Sequence, residues 1–342
     1  METIRWQNGV IIAIDQTKLP HRLTRLRLKS PKEVADAIRE MKIRGAPLLG
    51  AAAALALAQA AYRSKAKNKK QLLQDLEEAA ELIKSTRPTA VNLFHGVKVI
   101  LDYARGLDGE DLSEVVRSII DRCLRLLDED AEVNMRLSKI GAALLSEKET
   151  VLTHCNAGAF ATVQHGTALG VIIQAHREGK RVEVIATETR PLLQGARLTA
   201  YELSSEGVPV RIIPDSAAGL VMQRGMVGKV ILGADRILAT GHVINKVGTY
   251  MLAVLARENR VPFFVVAPTS TIDPASRVDE VIIEERPPEE ILEFSGKRIA
   301  PKGVGAFNPA FDITPPKFVS AIVTEKGVSY PPFDELRVWV KA

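Results

Sequence analysis

The chain has only two cysteines in 342 residues, Cys123 and Cys155, and they are not in CxxC spacing. A disulfide scaffold and a structural zinc site are therefore not expected, and a reducing cytoplasm fits. Aromatic residues are 5% of the chain, too few to stack successive bases along a nucleic-acid groove. The opening METIRWQNGV lacks the apolar stretch of a secretory signal. The longest apolar run, Leu48–Ala58, is far short of the ~20 residues a membrane-spanning helix needs. No GxGxxG follows a strand-like run and no GxxxxGK(S/T) occurs, so two common phosphate-binding loops are missing. His154, His165 and His176 recur at intervals of 11 residues, which is not a ligand spacing, so no metal is expected.

What is present is ordinary for a soluble globular protein: 46% hydrophobic and 25% charged residues. The length allows two domains. The formal charge of +5 is spread among interleaved acidic residues, which suits an anionic small substrate better than nucleic acid. The densest basic run, Arg63–Lys70, carries no aromatics and reads as a solvated helix end or loop.

Near the N-terminus, Asn8-Gly9 between Ile4–Trp6 and Val10–Ile14 predicts a hairpin. Ser30-Pro31-Lys32-Glu33 opens a helix with a capping box. An Ala/Leu-rich helix from Leu48 to about Tyr62 is apolar nearly all round and should be buried. Helical periodicity continues over 71–84, from the Arg87-Pro88-Thr89 break, and over 112–145. After Thr150 the character changes. β-prone runs at 151–153, 182–186, 210–213, 230–232, 263–266, 281–283 and 319–324 alternate with helical segments at 162–177, 195–206, 216–224 and 246–258. The expected class is α/β: a β/helical domain over 1–145, then a doubly wound, mostly parallel sheet over 146–342. The Pro/Gly-rich, charged stretch 287–312 is expected to wrap the surface or a neighbouring subunit.

Four stretches fall at predicted strand–helix junctions of the second half: THCNAG (153–158), ETRPLLQG (188–195), GADR (233–236) and Asn245-Lys246. Strand ends of a parallel sheet share one edge, where ligands bind. A lone cysteine is most often a small buried hydrophobe. In a Gly/Asn turn beside a predicted helix start, Cys155 instead reads as a functional thiol. Asp235 could simply cap a helix; at a partly desolvated sheet edge it could serve as general acid or base. Arg44, Gly45 and Ala46, just before a buried helix, could seat an oxyanion. Arg87 is a second candidate grip for phosphate, and Gln194, Asn245 and Lys246 are hydrogen-bonding groups at the same edge. Glu188 and Arg190 are read as a structural ion pair.

Together these stretches resemble the methylthioribose-1-phosphate isomerase family. The match runs through IDQTKLP (14–20), IREMKIRGAPLLG (38–50), THCNAGAFAT (153–162), HGTALGVI (165–172), ETRPLLQGARLTAYEL (188–203), GADRI (233–237), NKVGTY (245–250), VAPTSTID (266–273) and NPAFDITP (308–315). The resemblance implies a homodimer, a sheet of the sugar-phosphate isomerase and coenzyme A transferase type, and conversion of an aldose 1-phosphate to a ketose 1-phosphate without a cofactor. It also implies Cys155 and Asp235 as catalytic residues, and Arg44, Gly45, Ala46, Arg87, Gln194, Asn245 and Lys246 as substrate contacts. Phe160 stands where the family pattern leads one to expect Leu. Three rivals remain: an isomerase of another pentose phosphate, a non-catalytic subunit like those of the translation-initiation exchange factor, and a nucleic-acid binder suggested only by charge.

Overall fold

Asn8 and Gly9, at φ 47° and 80°, turn the chain between β1 (Ile4–Gln7) and β2 (Val10–Ile14), which pair antiparallel as the Asn-Gly signal predicts. A third strand, β3 (Arg25–Leu28), joins β2 on its other side. The computed structural model describes residues 1–87, 90–108 and 111–340. The chain forms two units: Met1–Met135 with Gly158–Gly166, and Arg136–Ala157 with Thr167–Ala342.

In the first unit, Ser30 accepts the Glu33 amide at 3.3 Å and starts α1 (Pro31–Arg39). The Glu33 carboxylate reaches back to the amide of Lys29 rather than to that of Ser30 itself. Then come α2 (Ala46–Arg63), α3 (Lys69–Lys84), α4 (Val91–Gly106) and α5 (Leu112–Ala142), whose residues from Arg136 on belong to the second unit. Helix α2 is buried along nearly its whole length, and its alanines let neighbours come close. At the tightest point a Cβ on Gly96 of α4 would lie 2.4 Å from the Gly50 carbonyl of α2, so backbone meets backbone. Residues 158–166 return to this unit by specific bonds. Thr3 donates its amide to Val163 O (3.1 Å) and its hydroxyl to Ala159 O (2.6 Å), and Gln16 Nε2 donates to Phe160 O (2.8 Å).

The second unit runs β4 (Thr150–Thr153), α6 (Ala168–Arg177), β5 (Glu183–Thr187), α7 (Ala200–Ser205), β6 (Val210–Ile213), α8 (Ala218–Gln223), β7 (Lys229–Leu232), β8 (Arg236–Leu238), β9 (Val243–Lys246), α9 (Thr249–Glu258), β10 (Phe263–Val266) and β11 (Ile272–Asp273). It ends with α10 (Glu289–Leu292), β12 (Glu293–Phe294), β13 (Lys297–Arg298), β14 (Phe311–Thr314), β15 (Ala321–Thr324), β16 (Gly327–Ser329) and α11 (Glu335–Trp339). The main sheet has the order β16-β15-β10-β7-β4-β5-β6, parallel except for β16. From β4 the chain winds outward through β5 and β6, then returns to lay β7 against the other side of β4. The strand order therefore reverses between β4 and β7, which is where a doubly wound sheet leaves its crevice.

Three expectations change. Residues 281–283 are not a strand; Ile282 is 79% exposed, and β-branched residues alone do not make a strand without a partner. The helix after THCNAG begins only at Ala168, because residues 158–166 leave the second unit in between. Finally, Asp235 leads into a strand rather than a helix, and Lys246 ends one. Strands β8 and β9 belong with β11 and β14 to a separate mixed sheet of order β11-β8-β9-β14. These strands are short and carry Arg, Asn, Lys and Asp, so they lack a strand's alternating signature.

Candidate active site

Cys155 follows β4, and Asp235 follows β7, the neighbouring parallel strand. The register pairs Leu152 with Val230, so the turns that follow the two strands leave the sheet side by side. Gly233 is a necessary glycine, since a Cβ there would lie 2.7 Å from that of Ala157. The two turns therefore pack directly on one another. Asp235 donates its amide to Ile244 O at 3.0 Å, which sets it next to Asn245 and Lys246 on β9. Gln194 comes from the next strand over, at the start of a π-helical turn (Gly195–Thr199) after β5. Extra-wide helical turns of this kind recur at functional sites. A Cβ on Gly195 would stand 1.8 Å from Thr187 O, so only glycine lets this turn sit on the end of β5. Five sequence candidates, Cys155, Gln194, Asp235, Asn245 and Lys246, thus gather where β4, β5 and β7 end.

Cys155 is half-buried with φ +58°, a left-handed conformation that costs an ordinary residue on the order of 1–2 kcal/mol. Two threonines hold it there. Its amide donates to Thr189 Oγ1 (2.9 Å), and Thr199 Oγ1 donates to its carbonyl (2.5 Å). Thr189 is itself at φ +63°, and Asp215 accepts the amides of Thr189 and Arg190 at 2.7 Å each. Behind them His154 is buried between Thr187 Oγ1 at Nδ1 (2.6 Å) and Val247 O at Nε2 (3.0 Å). Burial pushes its pKa down to about 4, so the ring is neutral near pH 7. Sequence reading missed Thr187, Thr189, Thr199 and Asp215; hydroxyls flanking a strand end next to a conspicuous turn were the available signal.

Lys246 is 8% exposed, donates to Ala310 O (2.9 Å) and lies 5.2 Å over the Phe311 ring. Asn245 donates to Thr249 Oγ1 at 3.0 Å. Asp312, on β14, accepts the amides of Gly248 (2.7 Å) and Tyr250 (3.1 Å). Burial nevertheless raises its pKa to about 6, against the pull of those amides and of Lys246. Gln194 is buried, and its Oε1 has no hydrogen-bond partner. Glu188 and Arg190 do not form the expected ion pair. Arg190 instead donates to Pro191 O and Ile291 O and stacks 5.6 Å from the Phe294 ring, because its turn directs it to the 287–307 segment.

The remaining candidates lie in the first unit. Gly45, at φ 107°, precedes α2, and a Cβ there would come within 2.4 Å of Ala161 Cα. Ala46 begins the helix, and Arg44 beside it is 8% exposed. Arg87 donates to Met41 Sδ at 3.3 Å; the Pro88 and Thr89 that follow lie outside the described residues. Phe160 is fully buried. Among the described residues no cluster of three His, Cys, Asp or Glu could hold a metal ion.

The initiation factor 2 subunit family matches this chain over residues 42–331. The chain is 49% identical to a methylthioribose-1-phosphate isomerase from Acetivibrio thermocellus, over 98% of each. It is 46% identical to a 5-deoxyribose 1-phosphate isomerase from Moorella thermoacetica, covering 97% of this chain and 95% of that one. The solved 5-methylthioribose 1-phosphate isomerase of Pyrococcus horikoshii superposes with TM-score 0.91 at 45% identity, covering 99% of this chain and 95% of that one. A structure from A. fulgidus titled as the translation initiation factor eIF-2B delta subunit superposes with TM-score 0.87 at 46% identity, covering 98% and 97%. The chain belongs to the methylthioribose-1-phosphate isomerase family, within the wider initiation factor 2 subunit family.

Proposed function

We propose that this protein isomerises 5-methylthioribose 1-phosphate to 5-methylthioribulose 1-phosphate, a step of methionine salvage, with Cys155 and Asp235 as the catalytic pair. One observation carries the assignment: a thiol and a carboxyl follow neighbouring parallel strands that flank the reversal of strand order. In this substrate the phosphate sits on the anomeric carbon, so the ring does not open as a free sugar's would. Asp235 exchanges protons with the ring and hydroxyl oxygens, and Cys155 serves the transfer at carbon. Arg44, the amides of Gly45 and Ala46, and Arg87 bind phosphate. Gln194, whose buried Oε1 is unpaired, accepts a sugar hydroxyl, and Asn245 and Lys246 contact the remaining polar atoms. Side chains alone suffice for this acid–base chemistry.

The working form is a cytoplasmic homodimer. Both cysteines are free, and no helix among the described residues is long and apolar enough to cross a membrane. Leu220 of α8 and Tyr250, Met251 and Val254 of α9 are each at least 36% exposed, an apolar surface suited to a second copy.

Purified Cys155→Ser and Asp235→Asn should each lose at least ~100-fold in turnover of methylthioribose 1-phosphate, the range expected for a proton-transfer group. Near-normal ketose formation by both variants overturns the assignment. A second substrate, 5-deoxyribose 1-phosphate, is favoured by the Moorella relative. A larger kcat/KM on that sugar than on the methylthio sugar would reverse the preference stated here.

A further inference from the structure

The hydrogen bonds behind Cys155 lead back through two threonines and His154 to the Val247 carbonyl. Val247 O is purely an acceptor, so the His154 proton is on Nε2 and Nδ1 accepts. Thr187 must then donate its single hydroxyl proton to Nδ1. Its oxygen is left to accept from Thr189 Oγ1, 3.2 Å away, and the single Thr189 proton is shared with the Thr187 carbonyl at 3.3 Å. Having donated, Thr189 Oγ1 accepts the Cys155 amide. Cys155 N–H thus leads to Thr189, whose hydroxyl meets Thr187 at both its oxygens, and Thr187 leads through His154 to the Val247 carbonyl. Glycines make room for it at both ends: a Cβ on Gly195 would come within 2.9 Å of Thr189 Oγ1, and one on Gly248 within 3.2 Å of the His154 ring. The neutral ring is needed, since a proton on Nδ1 would face the Thr187 hydroxyl proton. The charged groups acting on His154 oppose each other, Asp215 favouring its protonated form and Lys246 disfavouring it.

We propose that Thr189, backed by Thr187 and neutral His154, is the positioning residue that fixes the left-handed backbone of Cys155 and so the direction of its thiol. This rests on the reading of Cys155 as a catalytic group. Thr189 touches no reacting atom; it acts through the Cys155 amide, with Thr199 holding the carbonyl on the other side.

The test compares Thr189→Val, nearly the same shape without the hydroxyl, with Thr189→Ser, which keeps it. Two readouts are used: steady-state kinetics on methylthioribose 1-phosphate, and the iodoacetamide alkylation rate of Cys155 followed by mass spectrometry. Cys123 is fully buried, so its label is resolved as background. Thr189→Val should lower kcat by about 10- to 100-fold, as for a misplaced reacting group, leave KM within about twofold and change the alkylation rate several-fold. Thr189→Ser should restore both. If Thr189→Val does not fold, Thr187→Val breaks the chain one step further back and should lower kcat alone. Wild-type kcat and alkylation rate in folded Thr189→Val, or in folded Thr187→Val where that variant stands in, overturn the proposal, as does a loss that serine fails to rescue. Cys155→Ser is assayed in parallel. If it keeps its activity, the catalytic reading of the thiol fails, while the alkylation rates still report on positioning.

Discussion

Asp130 is a carboxyl half-covered by its surroundings, with one oxygen accepting the Val163 amide at 2.9 Å. Desolvation outweighs that bond and raises its pKa from 3.8 to about 6. The folded protein therefore keeps a proton that the unfolded chain has already released. The stability this group contributes is fully present below the unfolded pKa and is lost as pH rises through about 6. Asp130→Asn keeps an acceptor for Val163 and removes the ionisation. The variant should gain roughly 1–2 kcal/mol over wild type at pH 8 and little at pH 4, read from urea unfolding at both values. Equal differences at the two pH values would contradict this account. At this scale the candidate site was partly legible: Cys155 and Asp235 stood out as candidates because each follows an apolar run and sits among small residues. The threonines did not, because a hydroxyl's role depends on which atom faces it, and sequence spacing carries no such information.

Elements with local causes were easy to read. The Asn8-Gly9 hairpin and the Ser30 start of α1 are written in adjacent residues, and the apolar circumference of α2 already implied burial. Strands β8 and β9 form a short local hairpin whose polar residues hide it, whereas β14 was invisible because its partner is remote: Asp312 on β14 lies opposite Asn245 on β9, and no local pattern announces that pairing. The same strand shows why it matters. Asp312 stands at the start of α9 and accepts two of its first amides, a capping role supplied from another element. Asp312→Ala should leave the Gly248 and Tyr250 amides unsatisfied and lower the unfolding free energy by about 1–3 kcal/mol. Denaturant titration checks this; an unchanged midpoint would mean that water replaces the carboxyl without loss.

For the whole molecule, the alternation of strands and helices after residue 150 was enough to anticipate a doubly wound sheet. It did not anticipate that residues 158–166 return to the first unit, since the bonds that hold them, from Thr3, Gln16 and Asp130, come from far along the chain. The proposed dimer is testable at this level. Wild type should sediment at twice the 37.3 kDa chain mass, and Met251→Glu combined with Val254→Glu should sediment as one chain. Monomeric wild type at micromolar concentration would refute the dimer.

Strand β6 closes one side of the main sheet and pairs only with β5 among the described residues. Its outer row of backbone donors and acceptors is a template on which a foreign chain could accrete, and Ile212 is 49% exposed beside it. Arg211, exposed on the same strand and 3.4 Å from the Glu183 carboxylate of β5, puts a solvated charged side chain on that margin. Replacing it with Val should leave the melting temperature nearly unchanged while making the heated protein scatter light sooner. The margin of this sheet would then be guarded by a solvated charged side chain rather than by cover, and the protein's shelf life would depend on a single residue of its outermost strand.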